Sequence, residues 1–269
     1  MPPFFRIIVP FYYIFIVFSI VVLLSYREIY LICLRKHTPV LFHTMEWTVF
    51  PLENAMKGAY MRLIKEGLIR LYHMAVYLFY EKPRGLDFIR IFDAQSRLNQ
   101  KVFVSSTIPK KAIKQCLEGL EIEKCDAIID IGCGKGHALS VFSQAGFGRI
   151  HGIELIDALC EITKQNIRKL KLEGLVTVEN ADAEKFTAYD DFSYIYLFNP
   201  FPASVMQTVI ENIEKSYRRK PRKLILIYVN PVCDDMIIRS KWIRRIEKRT
   251  VKGLRSEAEV CYYAFDPAE

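Results

Sequence analysis

Residues 130–136 read DIGCGKG and follow the apolar residues 127–129, so a buried strand ends in an acid and a turn rich in glycine. Glycines stand at alternate positions of this turn, 132, 134 and 136. Glycine is needed where the backbone takes a positive φ angle, or where a Cβ would block the close approach of another group. A plain tight turn between a strand and a helix is one explanation. A turn that presents bare backbone to a ligand is the other.

A dinucleotide site is the first ligand to consider. Its fingerprint, G-x-G-x-x-G, places the third glycine where the helix packs on the strand. Counted from Gly132 and Gly134, that glycine would fall on His137, and counted from Gly134 and Gly136 it would fall on Leu139. The Lys-Ser/Thr pair of a phosphate-binding P-loop is also absent at its spacing. Both nucleotide motifs are therefore disfavoured.

Polar side chains follow the later strands as well. Three further strands are expected, each with a polar residue after it: 149–153 before Glu154, 176–178 before Asp182, and 194–198 before Asn199. Open α/β sheets bind ligands outside the carboxyl ends of their strands. A carboxylate at the end of the second strand can accept hydrogen bonds from both hydroxyls of a ribose. The pattern therefore predicts a nucleoside-bearing ligand at this edge.

Residues 101–269 resemble the class I S-adenosylmethionine-dependent methyltransferases. The resemblance is carried by DIGCGKG, by the later acids, and by the segments YLFNPF (196–201) and LILIYVNP (224–231). The last two are typical of an uncharacterised FNPF/YVNP-box branch that is similar to membrane-associated protein-lysine methyltransferases. The resemblance implies an α/β, Rossmann-like, doubly wound sheet of seven strands with a C-terminal antiparallel hairpin. It also implies S-adenosyl-L-methionine as the cofactor.

The same resemblance assigns the cofactor site. Asp130 would lie near the methionine amino group, Glu154 at the ribose, and Asp182 with Ala183 at the adenine edge. The full set of expected cofactor-binding residues is Asp130, Gly132, Cys133, Gly134, Gly136, Glu154, Leu155, Asp182, Ala183 and Asn199. We interpret Cys133 as a small residue of the turn and not as a nucleophile.

Asn199, Pro200 and Phe201 are the predicted catalytic residues. In related N-methyltransferases, an Asn/Asp-Pro-Pro-aromatic loop offers a side-chain oxygen and a backbone carbonyl to the target nitrogen. Here the second proline, Pro202, comes after the aromatic residue, which leaves nitrogen specificity open. A turn that begins at Asn199 would explain the same residues. The sequence identifies no base, so Tyr196 and water both remain candidates to take the proton.

Residues 7–24 carry no charge. As an α-helix they would span about 27 Å, close to the roughly 30 Å hydrocarbon core of a bilayer. A secretory signal has a shorter apolar region with a small-residue cleavage site, and a core helix this apolar would need a large surrounding protein. We therefore expect a single-pass membrane anchor that contacts membrane lipid. Basic residues follow the span, with Arg6 alone before it, which places the catalytic domain in the cytoplasm.

Three regions follow from these patterns: an anchor and its flank at 1–34, a helical linker at 35–100, and the methyltransferase domain at 101–269. Within the linker, residues 52–80 have an apolar stripe at helical spacing. A helix on the membrane surface and a helix packed on the catalytic domain both fit this stripe. The residues EKPRG at 81–85 predict a hinge.

The net charge is +8, with basic clusters at 215–223 and 239–255. Such clusters bind anionic lipid or nucleic acid, or simply form a solvated basic face. Few aromatic side chains lie near them, so a nucleic-acid partner is not expected. The seven cysteines form no C-x-x-C pair, which predicts free thiols in a reducing compartment. The five histidines lack metal-ligand spacing, so no metal site is expected.

The function predicted from the sequence is a membrane-anchored methyltransferase that acts on a nitrogen nucleophile of a protein or a small amine. The methyl acceptor itself is unknown. A cofactor-binding scaffold without activity, and an O-methyltransferase of a lipid or a glycan, are the alternatives.

Overall fold

The structure, a computed structural model, describes residues 67–89, 109–252 and 257–266. All of these belong to one unit of the chain, residues 65–269. The predicted anchor at 7–24 and most of the predicted linker lie outside the described residues. Within the described ranges, no helix is both long and apolar enough to span a bilayer.

Seven strands form one mixed sheet. They are β1 (Ala127–Ile131), β2 (Arg149–Glu154), β3 (Val176–Asn180), β4 (Tyr194–Phe198), β5 (Ile225–Val229), β6 (Ile243–Lys252) and β7 (Glu257–Phe265). Their order is β3-β2-β1-β4-β5-β7-β6. The first five strands run parallel, and β7 lies antiparallel to both β5 and β6. The predicted seven-stranded Rossmann-like sheet with its C-terminal hairpin is confirmed.

Helices flank the sheet. They are α1 (67–76, described from residue 67 onward), α2 (Lys110–Leu117), α3 (His137–Phe142), α4 (Asp157–Lys169), α5 (Ala203–Arg219) and α6 (Asp234–Ile237). After α1 the chain continues through a π-helical turn, Tyr77–Glu81, and a 3₁₀ turn, Lys82–Arg84. The second turn ends at Gly85, whose φ is +67°.

The predicted hinge at 81–85 is a closed turn. The amide of Leu86 donates to the Glu81 carbonyl at 2.9 Å, and the buried Glu81 carboxylate accepts hydrogen bonds from the amides of Phe88 and Ile89. Proline and glycine in the sequence explain the turn itself. The buried carboxylate that ties its two ends together has no local sequence pattern that would reveal it.

The central strands β1, β4 and β5 are apolar because the sheet is covered on both faces there, as parallel sheets are. Every residue of β1 is buried. Ile129 and Ile131 pack with residues of α5, whereas Ile128 packs on the opposite face with residues of α2 and α3. Asp130 is therefore a carboxylic acid within an otherwise apolar, fully covered strand. Such a group is costly to bury, which indicates a functional role at the carboxyl edge of the sheet, where it lies.

Candidate cofactor and acceptor site

The glycine turn is fixed directly onto the second strand. The amides of Gly132 and Cys133 both donate to the carbonyl of Ile153, at 2.9 and 3.0 Å. Gly132 and Gly136 each have a φ of +79°, and Gly134 has a φ of +55°. These angles are unfavourable for residues that carry a Cβ. The alternate glycines are therefore required by the path of the backbone.

Two of these glycines also lie against other parts of the site. A Cβ on Gly132 would come within 2.9 Å of the Pro200 Cβ, in the loop after β4. A Cβ on Gly136 would come within 2.6 Å of Thr163 Cγ2, on α4. Real Cβ atoms essentially never approach other atoms this closely. The turn is therefore packed between the predicted catalytic loop and α4.

Glu154 holds the middle of the turn. One of its carboxylate oxygens accepts a hydrogen bond from the Gly134 amide, and the other accepts one from the Ile156 amide, both at 2.9 Å. Burial raises the pKa of this carboxyl group above its usual range. Each carboxylate oxygen can accept more than one hydrogen bond. Glu154 thus supports the turn and keeps acceptor capacity for the ribose hydroxyls that the sequence predicts.

Asp130 lies in the strand that leads into the turn and is 4% exposed. Burial, and then the nearby Glu154, raise the pKa of Asp130 to about 8. At neutral pH the group is therefore largely protonated in the unliganded protein. A positively charged amino group placed beside it would favour the ionised form instead. This chemistry suits the predicted position near the methionine amino group.

The predicted adenine edge lies beside the end of β2. The amide of Ala181 donates to the Glu154 carbonyl at 3.1 Å, and the Asn180 side chain donates to the carbonyls of Glu154 and Leu155. These bonds place the turn that carries Asp182 and Ala183 next to Leu155, which is 52% exposed. The exposed leucine offers an apolar surface at the edge of the candidate cofactor site.

The Asp182 carboxylate is already engaged within its own turn. It accepts a hydrogen bond from the Glu184 amide at 3.0 Å and lies 3.4 Å from the Lys185 ammonium. An adenine amino group would donate a hydrogen bond to one of the remaining lone pairs of this carboxylate.

The loop after β4 begins at Asn199, which adopts a left-handed φ of +37°. The Tyr228 hydroxyl, on β5, donates a long 3.4 Å hydrogen bond to the Asn199 side-chain oxygen. The same hydroxyl accepts a bond of equal length from the Cys233 amide. The fifth strand thus contacts the Asn199 side chain.

A cavity of about 310 Å³ opens beside this loop. It is lined by Asn199, Phe201, Pro202, Ala203, Val232, Cys233, Asp235, Met236 and Arg239. The lining comes from the loops that follow β4 and β5 and from the first turns of α5 and α6, so this cavity adjoins the edge that carries the glycine turn. It is the candidate entrance for a methyl acceptor.

Tyr196 is disfavoured as a proton acceptor. Its side chain is 2% exposed and packs edge-to-face with Phe142 at a centroid distance of 5.2 Å. Burial raises its pKa well above the ordinary tyrosine value. Of the two proton acceptors considered from the sequence, Tyr196 and water, water is therefore the remaining candidate.

Four residues that support the turn were not identified from the sequence. They are Asp87, Lys135, Thr163 and Asn166. Thr163 and Asn166 lie on the buried face of α4, 0% and 1% exposed. A polar residue on the apolar face of an amphipathic helix is a detectable signal, because a buried polar group requires a partner. For Asp87 the local sequence offers no such signal.

Among the described residues, no cluster of acidic, histidine or cysteine side chains could hold a metal ion.

Comparison with known proteins points to methyltransferases. Residues 128–220 match the family model described as a methyltransferase domain. The protein-L-isoaspartate O-methyltransferase of Helicobacter pylori strain J99 is 29% identical over 117 residues, which is 42% of this chain and 52% of the relative. The enzyme of strain G27 is 29% identical over 114 residues, with the same coverage. The chain thus spans about half the length of the curated relatives it matches.

Two solved structures also align with the chain. The M1A22 tRNA methyltransferase of B. subtilis covers 59% of this chain and 67% of its own, at 14% identity and a TM-score of 0.49. An RNA methyltransferase from Salinibacter ruber, in complex with S-adenosyl-L-homocysteine, covers 61% of this chain and 95% of its own, at 18% identity and a TM-score of 0.48.

The FNPF/YVNP branch stays a prediction, because none of these relatives defines it. The glycine turn, the buried acid before it, the order of the seven strands and the matched family model agree with one another. Together they support a class I S-adenosylmethionine-dependent methyltransferase domain in this chain, with S-adenosyl-L-methionine as its cofactor.

Proposed function

We propose that this protein is a membrane-anchored enzyme that transfers the methyl group of S-adenosylmethionine to a nitrogen nucleophile of a protein or a small amine. The observation that carries the proposal is the contact between Gly132 and Pro200. It places the predicted cofactor turn directly beside the loop that begins at Asn199. A methyl donor held by the first would lie next to an acceptor held by the second.

The proposed chemistry is a direct displacement. The nitrogen lone pair attacks the methyl carbon, the carbon–sulfur bond breaks, and S-adenosylhomocysteine leaves as a neutral thioether. The nitrogen loses its proton to water. Because the sulfonium is already a strong electrophile, the protein contributes mainly by positioning the reactants. The Asn199 side-chain oxygen and the carbonyls of its loop would orient the nitrogen, with Phe201 beside it in the 310 Å³ cavity.

Sequence alone supports the membrane part of the proposal. Residues 7–24 are uncharged, and basic residues follow them at 27, 35 and 36. This distribution favours a single-pass anchor with the domain at 101–269 facing the cytoplasm. Extraction of membranes with alkaline carbonate tests it: an anchored chain stays with the lipid, and a peripheral one is released.

O-methylation is the second candidate, because the curated relatives that match are protein-L-isoaspartate O-methyltransferases. A lipid or glycan hydroxyl would be further acceptors of this kind. The displaced proline of the Asn-Pro-Phe-Pro loop is also compatible with an oxygen acceptor, since the second proline of the N-methyltransferase pattern is missing from its usual place.

One experiment separates these candidates. The full chain is incubated with methyl-labelled S-adenosylmethionine and a membrane extract, S-adenosylhomocysteine is quantified, and labelled products are fragmented by mass spectrometry to locate the methyl group. A methyl on nitrogen supports the proposal, and a methyl on oxygen supports the second candidate. Binding of S-adenosylhomocysteine without any labelled product would instead indicate a scaffold.

A further inference from the structure

The turn that follows α1 is attached to the cofactor loop. The Asp87 amide donates to the Asn166 side-chain oxygen at 2.9 Å, and the Asn166 side-chain amide donates back to the Asp87 carbonyl at 3.0 Å. The same side-chain amide donates to the Lys135 carbonyl at 2.9 Å. One buried asparagine thus joins the backbone of the turn to the backbone of the loop.

A charge pair reinforces this attachment. The Lys135 ammonium lies 2.7 Å from the Asp87 carboxylate, and the two side chains are only 2% and 15% exposed. Lys135 is the residue between the second and third glycines of the cofactor loop. A buried ammonium is costly without an opposite charge. Asp87 supplies that charge at hydrogen-bond distance, and the buried Glu81 carboxylate adds a second, weaker one.

The turn is itself rigidly held. The Glu81 side chain, 1% exposed, accepts hydrogen bonds from the amides of Phe88 and Ile89 at 3.1 and 3.3 Å. The Phe88 ring packs against His137, the first residue of α3, at a centroid distance of 5.2 Å. These contacts therefore fix the position of Asp87 beside the cofactor loop.

On the other side, α4 holds the loop backbone. The Thr163 hydroxyl donates to the Gly134 carbonyl, and Asn166 donates to the Lys135 carbonyl. The Gly134 amide donates to Glu154. Two consecutive loop residues are thus fixed by backbone contacts, and Asp87 fixes the Lys135 side chain.

We propose that Asp87 is a positioning residue of the cofactor site, and that the turn 81–89 sets the affinity for the cofactor although it precedes the predicted methyltransferase domain. The identity of the ligand rests on the proposed function. Asp87 acts through Lys135: it neutralises a buried charge, and thereby keeps residues 134–135 in the conformation that binds.

The test uses the full chain with Asp87→Asn, which keeps the size of the side chain and both backbone bonds to Asn166. The matched control is Asp126→Asn, which removes another carboxylate, 7% exposed, from its 3.4 Å pair with Lys223. Asp126 precedes β1, at the opposite end of that strand. We expect the Kd for S-adenosylhomocysteine, measured by calorimetry, to rise about tenfold or more in Asp87→Asn. It should stay within about twofold in the control.

A second measurement needs no ligand. Hydrogen–deuterium exchange of peptides covering 132–136 should be faster in Asp87→Asn, while peptides from β4 and β5 exchange as in the wild type. A merely structural role would accelerate exchange throughout the sheet. If the wild-type protein binds no S-adenosylhomocysteine, the proposed function fails, and the exchange measurement alone decides whether Asp87 holds the loop.

Should Asp87→Asn fail to fold, Lys135→Met provides the second variant, because it removes the buried cation and leaves the partly exposed Asp87 accessible to water. The same loss of affinity and the same local exchange are expected. A folded variant of either kind with wild-type affinity and wild-type exchange at 132–136 would overturn the proposal.

Discussion

Gly132 and Pro200 are in direct contact: a Cβ built on the glycine would lie 2.9 Å from the Cβ of the proline. This contact joins the loop after β1 to the loop after β4. Both loops emerge from the carboxyl ends of neighbouring strands, paired through Asp130 and Tyr196. In the proposed function, this contact sets the spacing between the methyl donor and its acceptor.

Gly132→Ala should lower both stability and cofactor affinity, because the added methyl must displace Pro200 and the residue keeps a φ of +79°. Gly119→Ala is the control, since Gly119 has the same φ of +79° but nothing within 4 Å of its added Cβ. The left-handed backbone should cost each variant about 1–2 kcal/mol. Denaturant unfolding and calorimetry with S-adenosylhomocysteine should show a larger loss for Gly132→Ala. Equal losses would mean that the Pro200 contact contributes nothing.

Glu154→Ala should leave the amides of Gly134 and Ile156 without their acceptor. An unsatisfied buried donor costs about 1–3 kcal/mol, so the free energy of unfolding should fall by that order. Affinity for S-adenosylhomocysteine should fall as well. If the carboxylate also binds the ribose, a 2′-deoxy analogue should bind the wild-type protein more weakly than S-adenosylhomocysteine does. The substitution Glu154→Ala should then reduce the affinity for the analogue less than it reduces the affinity for S-adenosylhomocysteine. Equal losses for the two ligands would argue against the ribose role.

Asp130 should make cofactor binding depend on pH. Its pKa of about 8 in the unliganded protein means that a cationic ligand amino group must expel a proton to pair with it. Affinity for S-adenosylhomocysteine should therefore increase as the pH rises towards 8, by up to about tenfold per unit, and then level off. Calorimetry in buffers of different ionisation enthalpy should detect the released proton.

The same pKa predicts a trend in stability without ligand. A carboxyl group whose pKa is raised by folding favours the folded state at low pH, and this contribution is lost as the pH rises from the ordinary aspartate range through about 8. Asp130→Asn removes the titrating group. Across this pH interval, the unfolding free energy of the variant should therefore rise relative to that of the wild type. The cofactor affinity of the variant should no longer depend on pH. Parallel pH profiles for both proteins would contradict the protonated state of Asp130.

Asn199 should matter for turnover more than for cofactor binding. Asn199→Gly tolerates the left-handed φ of +37° and removes the side chain. The matched control is Asn230→Gly, which has a φ of +55° at the end of β5 and an exposed side chain. Loss of acceptor alignment should reduce kcat by about 10- to 100-fold in Asn199→Gly, with the Kd for S-adenosylhomocysteine nearly unchanged. A similar kcat in both variants would remove Asn199 from the acceptor site.

Cysteine reactivity tests the interpretation of Cys133 as a small residue of the turn. Burial raises the pKa of the Cys133 thiol well above its usual range and that of Cys116 to about 12. Cys125 is exposed. Because the thiolate is the reactive form, iodoacetamide at neutral pH should modify Cys125 before Cys133 or Cys116. Peptide mass spectrometry checks the order, with the unfolded chain as the control in which all three react. Early modification of Cys133 would indicate an accessible thiol in the turn.

The sequence by itself determined the architecture and much of the candidate site. Alternate glycines after a buried strand, and polar residues after the later strands, are local patterns. They reflect backbone angles and burial, which each residue type favours or excludes within a few positions. Individual strands and turns could be predicted for this reason, and the resemblance to class I methyltransferases implied their arrangement in a seven-stranded sheet. The gathering of Asp130, Glu154 and Asn199 at one edge could be predicted as well.

Only the tertiary structure decided how that edge is supported. Asp87 and Lys135 are 48 positions apart, and Asp87 and Asn166 are 79 apart. No periodicity or turn motif links residues at such separations. Their pairing follows from which surfaces the packed helices bury, and a buried charge or amide must then find its partner wherever the fold brings one. The same applies to Glu154, whose position at a strand end predicted a ligand contact, but whose bonds to the loop amides came from the folded chain alone.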